Sequence, residues 1–206
     1  MKNLHSEKEK SMRLFNSSFL EFFTYTHWSV PIFLYLPLAV FLVWRSFGSL
    51  SFSFLLGASL LVAGILVWTL VEYLLHRFVF HYEPKSESGK KLHFLIHGVH
   101  HDYPNDSLRL VMPPLVSLPL ALIFYTLFVT LLGRVYVLPF FAGFVLGYIV
   151  YDTMHYAIHH APMRGKLSRF LKTQHMKHHF KNPDASFGVS SPLWDYVFRT
   201  KGKDQM

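Results

Sequence analysis

Four stretches of this 206-residue chain carry no Asp, Glu, Lys or Arg: Phe22–Trp44, Ser46–Val71, Leu110–Gly133 and Val135–Tyr151. They are 23, 26, 24 and 17 residues long. A helix that crosses the hydrocarbon core of a bilayer needs roughly 20 mainly apolar residues, range about 17–25. All four stretches reach it. Single charges, Arg45 and Arg134, separate the members of each consecutive pair, near Gly48 and Gly133, which suit tight turns. The pattern predicts two helical hairpins, near 29–75 and 113–157, with spans at about 29–47, 53–75, 113–132 and 135–154. Residues 1–21 read as a polar N-terminal segment, with a short amphipathic helix near Met12–Phe23. Residues 22–206 read as one membrane domain. The fold class expected is all-α integral membrane: four transmembrane helices in two hairpins, with a helical cap built from 76–110 and 155–206.

Composition agrees. The chain is 51% hydrophobic and only 16% charged, against about 25% charged for an average soluble chain. It has no Cys, which excludes a disulfide framework, a zinc ribbon, an iron–sulfur cluster and a catalytic thiol. The net charge of +8 could suggest nucleic acid, but the placement of the charges argues otherwise. Of 20 Lys and Arg, four precede the first apolar stretch, five lie between the hairpins, and nine lie from Arg164 to Lys203. Only Arg45 and Arg134 sit at the hairpin tips. The positive-inside rule then puts both termini and the cap in the cytoplasm. The charge becomes an orientation signal with some attraction to anionic headgroups, and a nucleic-acid partner is not expected.

The unusual residue is histidine, with 14 against 12 acidic residues. Twelve fall between His76 and His179, in four clusters: His76 and His81; His93, His97, His100 and His101; His155, His159 and His160; His175, His178 and His179. Each cluster lies at or beyond the cytoplasmic end of an apolar stretch, so the topology gathers all four on one face. Residues i, i+3 and i+4 share a helical face. That fits His97/His100/His101, His155/His159 and His175/His178/His179, and also His93/His97, which spacing does not exclude. His76 and His81 are five apart, so the helix is expected to end or bend between them. So many imidazoles exceed one metal. Zinc takes three or four protein ligands, and two metals with about five nitrogens each use the set better. Imidazole suits iron, zinc, copper and nickel alike. Neither Glu-x-x-His nor His-Glu-x-x-His occurs, so the carboxylate-bridged di-iron bundle and the common zinc protease motif are excluded. A metal transporter remains a rival, although transport sites usually lie near the membrane midplane.

Three stretches carry a resemblance: His97–Asp106 (HGVHHDYPND) with Arg109–Pro114 (RLVMPP); Gly147–His155 (GYIVYDTMH); and Phe187–Phe198 (FGVSSPLWDYVF). With the histidine clusters they resemble the membrane-bound fatty acid hydroxylase superfamily, nearest its fatty acid 2-hydroxylase branch, over roughly residues 55–200. The resemblance implies ten metal ligands: His76, His81, His97, His100, His101, His155, His159, His175, His178 and His179. It leaves His93 and His160 as extras, and His5 and His27 without a match. It implies an O2-dependent oxidoreductase with two iron ions, zinc being able to occupy the same nitrogens, that adds a hydroxyl at C2 of a fatty acyl chain, free or in a sphingolipid or other lipid. Eukaryotic members commonly carry an N-terminal haem domain of the cytochrome b type. Only about 21 residues precede the first apolar stretch here, so a separate electron-transfer protein is the expected donor. The alternatives within the superfamily are a sterol or carotenoid oxidase or an acyl desaturase.

Metals held by neutral imidazoles call for nearby carboxylates to moderate charge and fix ring tautomers. Asp152, three residues before His155, is the first candidate, followed by Asp102, Asp106 and Asp195. Glu72 lies a turn before His76 inside an apolar stretch, where a charge hints at function. Tyr156 and Tyr151 could supply hydrogen bonds. An acyl chain is expected to enter from the membrane between the hairpins, with Arg109 and Lys177 placed to meet a headgroup.

Overall fold

The computed structural model describes residues 12–202; the start of the N-terminal segment, with His5, lies outside them. Every regular element among the described residues is helical. After a single turn, α1 (Ser18–Phe22), the chain enters α2 (Val30–Trp44), whose first turn carries Pro31, where its missing N–H costs nothing. A π-helical turn, Arg45–Ser49, ends α2, and Ser53 caps the start of α3 (Phe54–Leu75). Two further π-helical turns follow, His76–Phe80 after α3 and Phe94–Gly98 after α4 (Glu87–His93). Then come α5 (Val99–Asp102), α6 (Pro114–His160), α7 (Lys166–Phe180) and α8 (Leu193–Val197).

Three helical stretches are long and apolar enough to cross a membrane: Val30–Ser49, Phe54–Phe80 and Pro114–His160. The last has 47 residues. A straight helix of that length would measure about 70 Å, more than twice the hydrocarbon thickness. It is not straight. Gly133 has φ 76° and ψ 167°, outside the helical region, and a side chain there would be strained. The chain reverses at this residue. Phe124 lies 5.1 Å from Phe144, Tyr125 5.1 Å from Phe141, and Phe128 4.9 Å from Phe140. Such pairs, up to twenty positions apart, can meet only if 114–132 and 134–160 run antiparallel. The hairpin expected near 113–157 is therefore present, with Gly133 as its tip.

Helices α2 and α3 both pack on α6, and α3 meets its second half most closely. A Cβ on Gly64 would fall 1.9 Å from the Phe140 carbonyl oxygen, and one on Gly143 1.9 Å from that of Leu61. The backbones touch, as small residues allow between membrane helices. Trp68 fills the layer beneath, 5.1 Å from Phe144 and 5.2 Å from Tyr148. The outward faces are apolar: Phe33, Phe54, Leu55, Leu122 and Leu131 are all exposed. The buried charges Glu72 and Asp152 point inward. Apolar surface outside and charge inside suits a lipid solvent.

Candidate metal centre

Helix ends bring the histidines together. His76 closes α3 and His81 follows its π-helical turn, joined by the His81 N–H donating to the His76 carbonyl at 3.2 Å. The i→i+5 bond explains the odd five-residue spacing: the wider turn puts both rings on one side, with Nε2 atoms 3.3 Å apart. The third π-helical turn carries His97 into α5, with His100 and His101. The end of α6 supplies His155 and His159, and α7 supplies His175, His178 and His179.

These ten residues form two groups that could each hold a metal ion: His76, His81, His97, His101 and His178; and His100, His155, His159, His175 and His179. Within each group one ring nitrogen from each residue lies within 4.8 Å of the others. Adjacent residues on a helix point about 100° apart, so the pairs His100/His101 and His178/His179 each send one ring to either group. Sequence spacing could not make that division.

Hydrogen bonding alone does not account for the convergence. Nε2 of His175 lies 3.0 Å from that of His155, 2.9 Å from that of His159 and 3.0 Å from that of His179. A neutral ring nitrogen offers one proton or one lone pair, so it cannot satisfy three such neighbours. Neighbouring ligands on a cation would. Nitrogens about 2.0–2.1 Å from a metal, set at octahedral or tetrahedral angles, lie about 2.9–3.4 Å from each other. The donor set fits metal.

The rings are also held neutral. Burial first, then repulsion from neighbouring rings, pushes His81 and His101 down to about 3 and His97, His100 and His175 well below the usual histidine range. The same causes lower His179. Burial also lowers His178, against the pull of the Ala185 carbonyl. Neutral imidazoles keep the lone pairs that metal binding needs. Two tautomers are fixed by backbone: Nδ1 of His76 meets the Phe187 carbonyl at 2.5 Å, and Nδ1 of His178 meets that of Ala185 at 2.8 Å. Each bond leaves Nε2 facing its group. The segment 185–187 supplies these carbonyls, and no sequence signal marked it for that role.

The remaining histidines stand apart. His93 meets the Phe80 carbonyl through Nε2 at 2.6 Å. His160 is exposed and lies 4.6 Å from Tyr156. His27 meets the Ser29 hydroxyl.

The carboxylates sit differently from expectation. Asp195 accepts from the backbone N–H of Phe187 and Gly188 and from Thr200 Oγ1. Glu72 accepts from the N–H of Val189 and Ser190 and from the Ser190 hydroxyl. Both grip the loop behind His76 rather than a ring. Asp152 is 1% exposed, and its Oδ2 has no hydrogen-bond partner. Asp102 is exposed. Asp106 accepts from Leu108 N–H and faces Arg109 at 3.8 Å. Tyr156 stacks on Trp28, and Tyr151 lies 5.8 Å from His155. Lys177 is half-buried on α7.

Arg109, expected near a headgroup, lines the cavity that reaches the histidines. Its guanidinium is buried and bonded to Glu21 and to the Met12 carbonyl, with Tyr25 4.7 Å away. Glu21 also accepts from the N–H of Leu14 and Phe15 and from Tyr25. Burial raises the Glu21 carboxyl, but these bonds and Arg109 outweigh it, so the net shift is downward. The segment expected to be a polar lead-in is thus tied to the body of the protein.

Between this segment and the histidines lies a cavity of about 340 Å³. Leu14, Phe15 and Phe23 line one side; Val111, Asp152 and the rings of His97, His100 and His155 line the other. It takes Phe80 from the stretch Phe54–Phe80 and Leu115, Val116 and Tyr151 from α6. A smaller cavity of about 30 Å³ lies among Tyr35, Trp68, Phe124 and Phe144.

A family model described as fatty acid hydroxylase matches residues 61–200. The chain is 42% identical to the dihydroceramide fatty acyl 2-hydroxylase of Arabidopsis thaliana, covering 91% of this chain and 79% of that protein. It is 38% identical to the fatty acid 2-hydroxylase of Rattus norvegicus, covering 96% of this chain but 58% of that one. The ceramide very long chain fatty acid hydroxylase of Saccharomyces cerevisiae is 40% identical, with 89% and 48% covered. Among solved structures, that of full-length scs7p, in which only the hydroxylase domain is visible, superposes with a TM-score of 0.86 at 39% identity, covering 92% of this chain and 72% of that one.

Proposed function

The chain belongs to the fatty acid hydroxylase family, and we propose that it adds a hydroxyl at C2 of a fatty acyl chain, free or amide-linked in a ceramide-type lipid. The observation that carries this reading is the cavity: its apolar walls end on His97 of one histidine group and on His100 and His155 of the other. An acyl chain lying in it would present a carbon near its polar end to the gap between the two groups.

Ten residues would hold the metals: His76, His81, His97, His101 and His178 one ion, and His100, His155, His159, His175 and His179 the other. Iron suits these nitrogens, and zinc could take the same places. Two irons, when bound, would supply O2 activation and the oxidising power to replace a C–H hydrogen by hydroxyl. The chain's own residues do the rest. The Phe187 and Ala185 carbonyls hold His76 and His178 with Nε2 turned inward. Leu14, Phe15, Phe23 and Val111 desolvate the acyl chain and keep bulk water from the reacting carbon. Asp152, which lines the cavity, would accept a hydrogen bond from a polar group near the lipid's carbonyl. Electrons would come from a separate carrier protein. The two hairpins would place four spans in the bilayer, with both termini and the histidines on the cytoplasmic side, where most Lys and Arg lie.

Lipid profiling of cells with and without the protein tests the reading. The expected product carries one added oxygen at C2. A new double bond, or an oxidised ring in a sterol or carotenoid, would overturn it in favour of another reaction of the superfamily.

A further inference from the structure

The two histidine groups are not equally supported from behind. In the first, His76 donates from Nδ1 to the Phe187 carbonyl at 2.5 Å. That carbonyl and the Gly188 N–H belong to one peptide group. The Gly188 N–H donates to Asp195 Oδ2 at 2.8 Å. An anion therefore sits at one end of a single planar peptide and an imidazole at the other. A hydrogen bond from the N–H to a carboxylate strengthens the carbonyl as an acceptor, because the resonance that makes the peptide planar also couples its two ends. Asp195 is 2% exposed, so water does not dilute its charge. Gly188 allows the approach: a Cβ there would lie 2.9 Å from Asp195 Oδ2 and 2.1 Å from the Ser191 carbonyl oxygen. Glu72 pins the next two residues, accepting from Val189 N–H at 2.7 Å and Ser190 N–H at 2.8 Å. Among the described residues the second group has nothing comparable. Nδ1 of His155, His175 and His179 is buried without a hydrogen-bond partner.

We propose that Asp195 is a positioning residue that acts on His76 through the Phe187–Gly188 peptide, and that this support makes the group of His76, His81, His97, His101 and His178 the tighter metal site and the first to fill. The proposal rests on the reading that both groups bind metal. A carboxylate bonded directly to a ligand's ring raises the ligand's basicity and fixes its orientation; here one peptide group is interposed.

The test uses the full chain in detergent micelles, stripped with a chelator and titrated with Zn²⁺ against a chromophoric competitor. Wild-type protein takes up two equivalents with separable affinities. The His159→Ala variant keeps the tight equivalent, and His178→Ala keeps the weak one. In the His159→Ala background, Asp195→Asn lowers the remaining affinity about 10–100-fold, the usual loss when an outer partner of a ligand is changed. In the His178→Ala background it leaves the affinity unchanged. Asp195→Glu recovers part of the loss, which a merely structural role for the side chain would not give. Helix content and elution volume report folding. Should Asp195→Asn misfold, Thr200→Val removes one hydrogen bond to the carboxylate, keeps its charge, and shifts the tight site alone by a smaller factor in the same direction. Equal affinities for the two equivalents in the wild type, or equal weakening of both sites by Asp195→Asn, would overturn the proposal. Absence of any bound metal in the wild type would overturn the underlying metal reading, and is distinct from either.

Discussion

Two buried polar clusters face each other across one cavity. On one side, Arg109 and Glu21 are charged and satisfy each other, with the N–H groups of Leu14 and Phe15 and the Tyr25 hydroxyl completing the set. On the other, ten imidazoles turn ring nitrogens toward one another in two groups. Both clusters pay the desolvation cost of polar groups taken out of water. The first meets most of it within the chain, through opposite charges in contact. The second is complete only with a cation. The difference separates a structural device from a site: one pairs its charges within the chain, and the other leaves lone pairs pointing at a common point.

The largest expected break in this contrast is His178→Ala. Activity should fall by at least about 100-fold, with one metal equivalent lost, while membrane insertion is retained. Product formation, metal analysis and membrane fractionation check it, and retained activity would remove His178 from the ligand set. Next comes Arg109→Ala, which leaves Glu21 buried without its partner. Breaking a buried pair costs about 3–5 kcal/mol, whereas replacing both members by apolar residues is often nearly neutral. Denaturation should therefore show Arg109→Ala strongly destabilised and the double variant Arg109→Met/Glu21→Leu largely restored.

Acid sharpens the comparison further. In metal-free protein His81 and His101 titrate near 3, against 6.5 when unfolded. Below about 6.5 the unfolded chain binds protons that the folded chain refuses, so stability falls as pH drops from there toward about 3, and is flat above. Glu21 has a lowered value, so its contribution is present above its ordinary 4.5 and is lost at lower pH. Denaturant midpoints across pH should show the histidine loss setting in first, and bound metal should suppress it. The smallest effect is expected from His93→Ala. It removes one hydrogen bond to the Phe80 carbonyl, worth about 1 kcal/mol, and should leave two metal equivalents in place.

Much of this was legible in the sequence. The charge-free stretches and the glycine beside Arg134 marked the second hairpin, because lipid-facing helices admit few charges and a reversal needs a residue that accepts positive φ. The histidine spacings marked which rings share a helix face. What stayed hidden depends on contacts between distant segments. His76 and His81 read as a bend, whereas a π-helical turn aligns them. The division of His100 from His101 needed the position of α5 relative to the other histidine-bearing segments. Asp195 and Glu72 read in the sequence as carboxylates that could serve the histidines, but their work on the loop uses backbone groups, which leave no trace in residue identity. Arg109 gave no sign of its partner Glu21, which lies 88 positions earlier.

The reversal at Gly133 has a further consequence. Nothing lies within 4 Å of where its Cβ would be, and the two halves of the hairpin adhere through rings deeper in the bundle, such as Phe128 and Phe140. The covalent link at the tip contributes little beyond keeping the halves near each other. A gene divided there should yield two polypeptides that reassemble on co-expression. One would bring five of the ten histidines, His76 to His101, and the other the remaining five, His155 to His179, so that each metal group would be completed only by their reunion.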